Sequence, residues 1–129
     1  MTKFWLLLIG LVLLMASTAE AQTCAPADLA HPLSVAISWT DNATDETGFV
    51  LERKLNTGTY TGLAASLNAN IVSFTDSTVV RGSVPNTYTY RVKAMKTGAP
   101  DSAYSNEACI TFAPTPPPPS NAPSDLIVK

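Results

Sequence analysis

With 129 residues, eight bases, ten acids and one histidine, the chain carries a formal charge of −2 and has room for one domain at most. A mildly acidic chain with no basic block has no electrostatic footprint for nucleic acid or an anionic membrane surface, so both partner classes are excluded. One histidine and two cysteines are too few for a four-ligand zinc site, and no GxSxG, P-loop or dinucleotide fingerprint is present.

Residues 1–15, MTKFWLLLIGLVLLM, place one lysine before an apolar run of about twelve residues, against roughly 20 needed to span a bilayer. Ala19, Glu20 and Ala21 follow as a small-x-small cleavage site, so residues 1–21 read as a secretory signal peptide, leaving no membrane span after cleavage. Cleavage removes one base, Lys3, and one acid, Glu20, leaving seven bases and nine acids and the same net charge. Cys24 and Cys109 would then meet an oxidising compartment, where a disulfide is the default. It would close a loop of about 85 residues and contribute roughly 4–5 kcal/mol at most. Intermolecular pairing is the alternative for both cysteines, and lipidation the alternative for Cys24 alone.

After the signal peptide the dominant pattern is period-two alternation broken every eight to twelve residues by turn formers, the spacing of a β-sandwich or barrel. Leu33, Val35, Ile37 and Trp39 alternate with Ser34, Ala36 and Ser38. A polar loop, TDNATDETG, ends at Gly48, and Phe49 and Leu51 then alternate with Val50, Glu52 and Lys54. A turn at Asn56, Thr57 and Gly58 leads to a weak strand with Tyr60 and Leu63. Val72 and Phe74 mark the next strand, which Asp76 ends. In YTYRVKAM, Tyr88, Tyr90, Val92 and Ala94 share one face, and Thr89, Arg91 and Lys93 the other, as in a half-buried antiparallel strand. Residues 97–101 form a turn, and Ala108, Ile110 and Phe112 alternate with Glu107, Cys109 and Thr111. No helical repeat is present. Six or seven strands, each with one apolar face, are satisfied by two facing sheets, an all-β sandwich.

The acids Asp41, Asp45 and Glu46 beside Asn42 miss the calcium-loop register, because Ala43 and Glu46 fall at its third and sixth positions; a solvated loop is expected. Asn42, Ala43 and Thr44 fit a glycosylation sequon. His31, beside Pro32, belongs to a turn and has no catalytic partner in a motif. Tyr60 and Tyr104 are the aromatics expected at the surface, an incomplete platform for stacking a sugar. The chain closes with a polyproline II spacer, TPPPP, and then APSDLIVK, whose first five residues repeat APADL at residues 25–29 with one substitution. Residues 122–129 therefore read as the start of a second module. An isolated strand there has neither partner nor buried face; it is expected to be disordered or to add to a neighbour's edge.

Taken in order, VAISW, DNATDETGFVLERK, VSFTDSTV, YTYRVKA and DSAYSNEA resemble strand B, the loop and strand C, strand E, strand F and the entry to strand G of the fibronectin type III family in its bacterial secreted form. The resemblance covers residues 25–112. It implies an immunoglobulin-like two-sheet β-sandwich of about seven antiparallel strands over residues 22–113, a buried Trp39, Tyr88 as the tyrosine corner, and a Pro-rich linker at residues 114–121. VVRGSVPNTY departs from the family's spacing, so the E–F turn is rebuilt, and strand A is truncated. Arg81, Gly82 and Ser83 lack the aspartate of an integrin motif and read as a turn. Cys109, alternating with core residues, points outward, so a bridge to Cys24 would run outside the sheet along its edge. The resemblance further implies a secreted or envelope-bound, non-catalytic, monomeric module without cofactor, acting as a spacer, adhesion or presenting unit. Its partner would be an extracellular protein or polysaccharide, met through residues 96–102 with Lys96, Asp101 and Tyr104 as candidate contacts. An accessory module of an extracellular depolymerase, such as a glycoside hydrolase, or a lipoprotein tethered through Cys24 are the alternatives.

Overall fold

The computed structural model describes residues 22–27, 32–64 and 66–121. The signal peptide (residues 1–21), His31 and the repeat at residues 122–129 lie outside the described residues. Within them every regular element is a β-strand, and no helix is long and apolar enough to cross a membrane. In chain order these are β1 (Ala25–Ala27), β2 (Val35–Ser38), β3 (Gly48–Leu55), β4 (Thr61–Gly62), β5 (Leu67–Asn68), β6 (Ser73–Asp76), β7 (Asn86–Met95) and β8 (Ala108–Phe112).

The strands form two sheets. The larger runs β1-β8-β7-β3-β4, with β5 also paired to β3, and the smaller is the antiparallel pair β2-β6. The count exceeds seven because β4 occupies the weak strand expected around Tyr60 and Leu63 and a further short strand, β5, also pairs with β3. One pairing is parallel, β1 with β8, and the others are antiparallel. Leu33 and Val72, expected inside strands, fall just outside β2 and β6 and are 48% and 46% exposed. Both lie at the ends of the smaller sheet, where the facing sheet no longer covers them.

β7 is the spine of the larger sheet, paired along eight residues to β3 and five to β8. Its inward set is the alternating one: Tyr88, Tyr90 and Val92 are buried. They join Val35, Val79, Phe112, Phe49 and Leu51 in two adjoining clusters bridged by Ile37 and Leu63. The Tyr88 and Phe112 rings meet edge to face at 6.0 Å. Fully burying side chains of this size contributes about 1.5–3 kcal/mol each, so this layer holds the sheets together. Gly48 opens β3 because β5 crosses close over it: a Cβ there would stand 2.2 Å from the Leu67 carbonyl oxygen.

Two polar devices complete the closed end of the sandwich. The Tyr88 hydroxyl accepts the Val80 N–H at 2.9 Å and donates to the Val80 carbonyl at 3.1 Å. The rebuilt turn therefore still closes onto Tyr88, eight residues on, with Asn86 Nδ2 donating to the same carbonyl. Asp76, on β6, is buried and ties the smaller sheet to the larger. Its carboxylate accepts from Arg53 Nη1 on β3 (2.6 Å), from the Tyr90 hydroxyl on β7 (3.0 Å) and from the Thr78 backbone and hydroxyl.

The cysteines pair with each other. Cys24 and Cys109 are bridged with Cα atoms 4.8 Å apart, one step beyond the β1–β8 register that sets Ala25 against Ile110. As expected from the alternation, the bridge lies on the outer face, next to Thr89, whose cross-strand partner is Cys109. The segment after Cys24 covers the β8 edge, which shields that row of backbone groups.

Candidate functional site

Three candidate residues follow β7, and the structure separates them. Lys96 leads into a turn closed by the Ala99 N–H donating to the Lys96 carbonyl, with Gly98 at φ 78°, the geometry that favours glycine at the third turn position. Its ammonium pairs with Asp45, an exposed contact that contributes little to stability. Asp101 pairs instead with Lys93 at 2.7 Å, and this bond raises the Lys93 pKa above its usual value. Tyr104 shares that Lys93 with Asp101, also lines a cleft beside Trp39, and lies over the outer face of the larger sheet.

There it joins a stack that the sequence did not disclose. The Arg91 guanidinium lies 3.7 Å from the centroids of both the Tyr60 and Tyr104 rings. Lys54 adds a second cation to Tyr60 at 4.6 Å and Lys93 a second to Tyr104 at 5.1 Å. Glu52 fixes the guanidinium at 2.6 Å and accepts the Tyr104 hydroxyl at 3.0 Å. Burial pushes the Glu52 carboxyl up, but the hydrogen bonds from Arg91 and Tyr104 outweigh it and hold the group below the usual range. The two tyrosines expected at the surface, too few for a sugar platform, therefore present their rings to Arg91. They lock three segments of chain together.

The acidic loop is equally committed. Asp41 Oδ1 accepts the Ala43 N–H, closing an Asx turn, and Glu46 Oε1 accepts the Asn70 N–H. Among the described residues no group of three His, Cys, Asp or Glu side chains is placed to hold a metal. With its sulfur in the bridge, Cys24 has no thiol left for acylation, which argues against the lipoprotein alternative.

Trp39 marks the concavity. Expected in the core, it is only half-buried: one face packs on Phe49 at 5.7 Å, and the rest lines two adjoining clefts of about 400 and 360 Å³. Among the described residues β2 pairs with β6 alone, and Trp39 follows β2 where the two sheets leave these clefts between them. Leu51, Tyr90 and Val92 form the floor. One rim is Thr40 and Asn42, and the other is the segment bearing Ser102, Ser105 and Asn106.

That second rim is held by hydroxyls acting as strand atoms. Ser105 Oγ accepts the Val92 N–H and donates to the Asn106 carbonyl, and Ser102 Oγ accepts the Ala94 N–H and donates to the Ala103 carbonyl. Both hydroxyl protons are used, and the described lining of the two clefts holds no histidine or carboxylate that could activate them. The buried Trp39 Nε1–H has no hydrogen-bond partner among the described residues. An apolar floor and a polar rim suit non-covalent recognition. Alternation located Trp39 on the inner face but carried no sign of the clefts beside it.

The fold and site together define an all-β, two-sheet, disulfide-bridged protein. Compared with protein-family models and with curated proteins, the chain finds no match in either.

Proposed function

We propose that the chain is an exported, non-catalytic fibronectin type III-like module that presents a binding cleft at Trp39 on a proline spacer. The observation that carries this reading is the closure of Tyr88 onto Val80, together with the way the strands divide. β2 pairs with β6, as strands B and E do in immunoglobulin-like sandwiches, and β3, β7 and β8 lie side by side as C, F and G do. The bridge supports export, because such bonds persist in oxidising compartments. The saturated serines support binding without chemistry. The ligand face is the cleft between residues 39–43 and 102–106, so the rim beyond Lys96 and Asp101 replaces those two residues as the contact surface. The partner class is an extended extracellular polymer, protein or polysaccharide, able to pack on the exposed part of the Trp39 ring and meet the polar rim.

Two measurements test this. The protein recovered outside the native host's cells should begin at Gln22 and gain two hydrogens on reduction; a reduced, cytoplasmic chain beginning at Met1 overturns export. Polysaccharide and protein fractions from the host envelope are then added to isotope-labelled protein. The Trp39 indole resonance, the only one after signal cleavage, should shift along with residues 102–106. New reducing ends or cleaved peptide in those fractions would instead make the protein an enzyme.

A further inference from the structure

β1 is three residues long, and its seat is specific. Ala25, Pro26 and Ala27 lie against Ile110, Thr111 and Phe112 of β8, and Ala27 is buried in the cluster of Tyr88 and Phe112. Pro26 is exposed, as suits a proline on an edge strand. Two of the three residues that fill this seat recur in a later five-residue repeat. Residues 25–29 read APADL and residues 122–126 read APSDL. The two copies differ at points that the seat can read. Cys24 precedes the first and Asn121 the second, and the buried Ala27 corresponds to Ser124.

We propose that the Cys24–Cys109 bridge assigns the β8 edge to the chain's own residues 24–27, and so excludes residues 121–126 of a second copy, which otherwise seat on that edge by strand exchange. The occupant is the tail of another copy because the chain's own tail cannot make the turn. A parallel neighbour needs a crossover of about a dozen or more residues. Only residues 113–121 separate β8 from the repeat, four consecutive prolines stiffen them, and Thr115 is tied back to the Gly82 carbonyl. The bridge works by position. Cys24 stands where the register places it against Cys109, whereas Asn121 in the same place cannot bond to that sulfur. Ser124 adds a second barrier by carrying a hydroxyl into the site that the Ala27 methyl fills. The inference rests on the repeat and the β1 seat, and it is tested in purified protein, so it stands or falls apart from export and from the cleft.

The test is a competition for Cys109 in the full mature chain. Asn121→Cys gives the tail the missing thiol while Cys24 is retained, so the native bridge can still form. Equal amounts of ¹⁴N and ¹⁵N protein are mixed, reduced and reoxidised with glutathione disulfide, which takes up the two electrons while each protein S–S bond forms and two thiol protons leave. Disulfide mapping by mass spectrometry then counts the bonds that Cys109 makes to Cys24 and to the thiol introduced at position 121. Bonds from Cys109 of one copy to position 121 of another should appear and rise as protein goes from about 10 µM to about 1 mM, the range that brackets the effective concentration of a short tether. Adding Ser124→Ala should raise them on the order of tenfold, the effect of removing one buried, unpaired hydroxyl. Ser120→Cys in place of Asn121→Cys, one register out, should give far fewer. The proposal is overturned if Cys109 makes no bond to the tail thiol, if that bond is indifferent to Ser124→Ala, if mixed ¹⁴N–¹⁵N bonds are missing where random pairing between copies would make them about half of the total, or if Ser120→Cys forms it as often.

Discussion

Tyr88 and Gly48 show how much one atom can decide. Tyr88→Phe keeps the ring and its edge-to-face contact with Phe112, so it isolates the hydroxyl that both gives to and takes from Val80. The Val80 groups then lose a partner, and the expected loss is about 1–3 kcal/mol, read from the urea midpoint at constant slope. An unchanged midpoint would mean that the turn finds other partners and that the corner does not hold it. At Gly48 the constraint is space. Gly48→Ala drives a methyl group into the Leu67 carbonyl, so β5 must move, and the amide resonances of Leu67 and Asn68 should shift. Gly98→Ala is the contrast. Nothing stands near its Cβ, but φ of +78° is strained for alanine, so a cost of roughly 1–2 kcal/mol should come without any change in β5.

At the scale of elements, β1 depends on a covalent bond more than on its three residues of pairing. Replacing both cysteines by alanine should cost about 2–4 kcal/mol. Hydrogen exchange should show it locally, with β1 opening at far lower free energy than β3 or β7. Protection lost evenly across all strands would mean instead that the bridge supports the whole sandwich. This is also the scale at which the sequence was legible. Period-two alternation named the inner face of β7 and placed Cys109 outside, because the pleat alone decides which side a residue takes. The identity of a neighbouring strand is a different matter. Tyr60, Arg91 and Tyr104 come from three distant segments, and alternation says only that Arg91 faces outward, not that two rings close on it. Trp39 carried the same ambiguity: its face was fixed by period, but the clefts that leave it half-buried were not.

For the molecule as a whole, Asp76 joins the sheets and sets the pH range in which they stay joined. Burial alone pushes its carboxyl up, but the bonds from Thr78, Arg53 and Tyr90 outweigh that and hold it below the usual aspartate value. A folded value below the unfolded one means that the unfolded chain binds the proton more readily. The contribution is therefore complete above about pH 4 and is lost as pH falls through the folded value. The alkaline side has the opposite sign. Burial first, then the Asp76 charge, raises the Tyr90 hydroxyl well above its ordinary value, so the folded state keeps that proton while the unfolded chain releases it above about pH 10. Stability should thus be flat from about pH 5 to about pH 9 and fall on both flanks. Asp76→Asn separates the two limbs. At pH 7 it should cost about 3 kcal/mol, because Arg53 loses its anion and the amide cannot accept at both of its former oxygens. Below about pH 4 the unfolded chain takes up the proton and the charged carboxylate's contribution is progressively withdrawn, so the gap between the two should narrow as pH falls. The alkaline limb should persist in the variant, because burial, the larger cause, is untouched. A gap that stayed constant down to pH 2 would mean that Asp76 acts through its shape alone, and the tie between the sheets would then be one of packing.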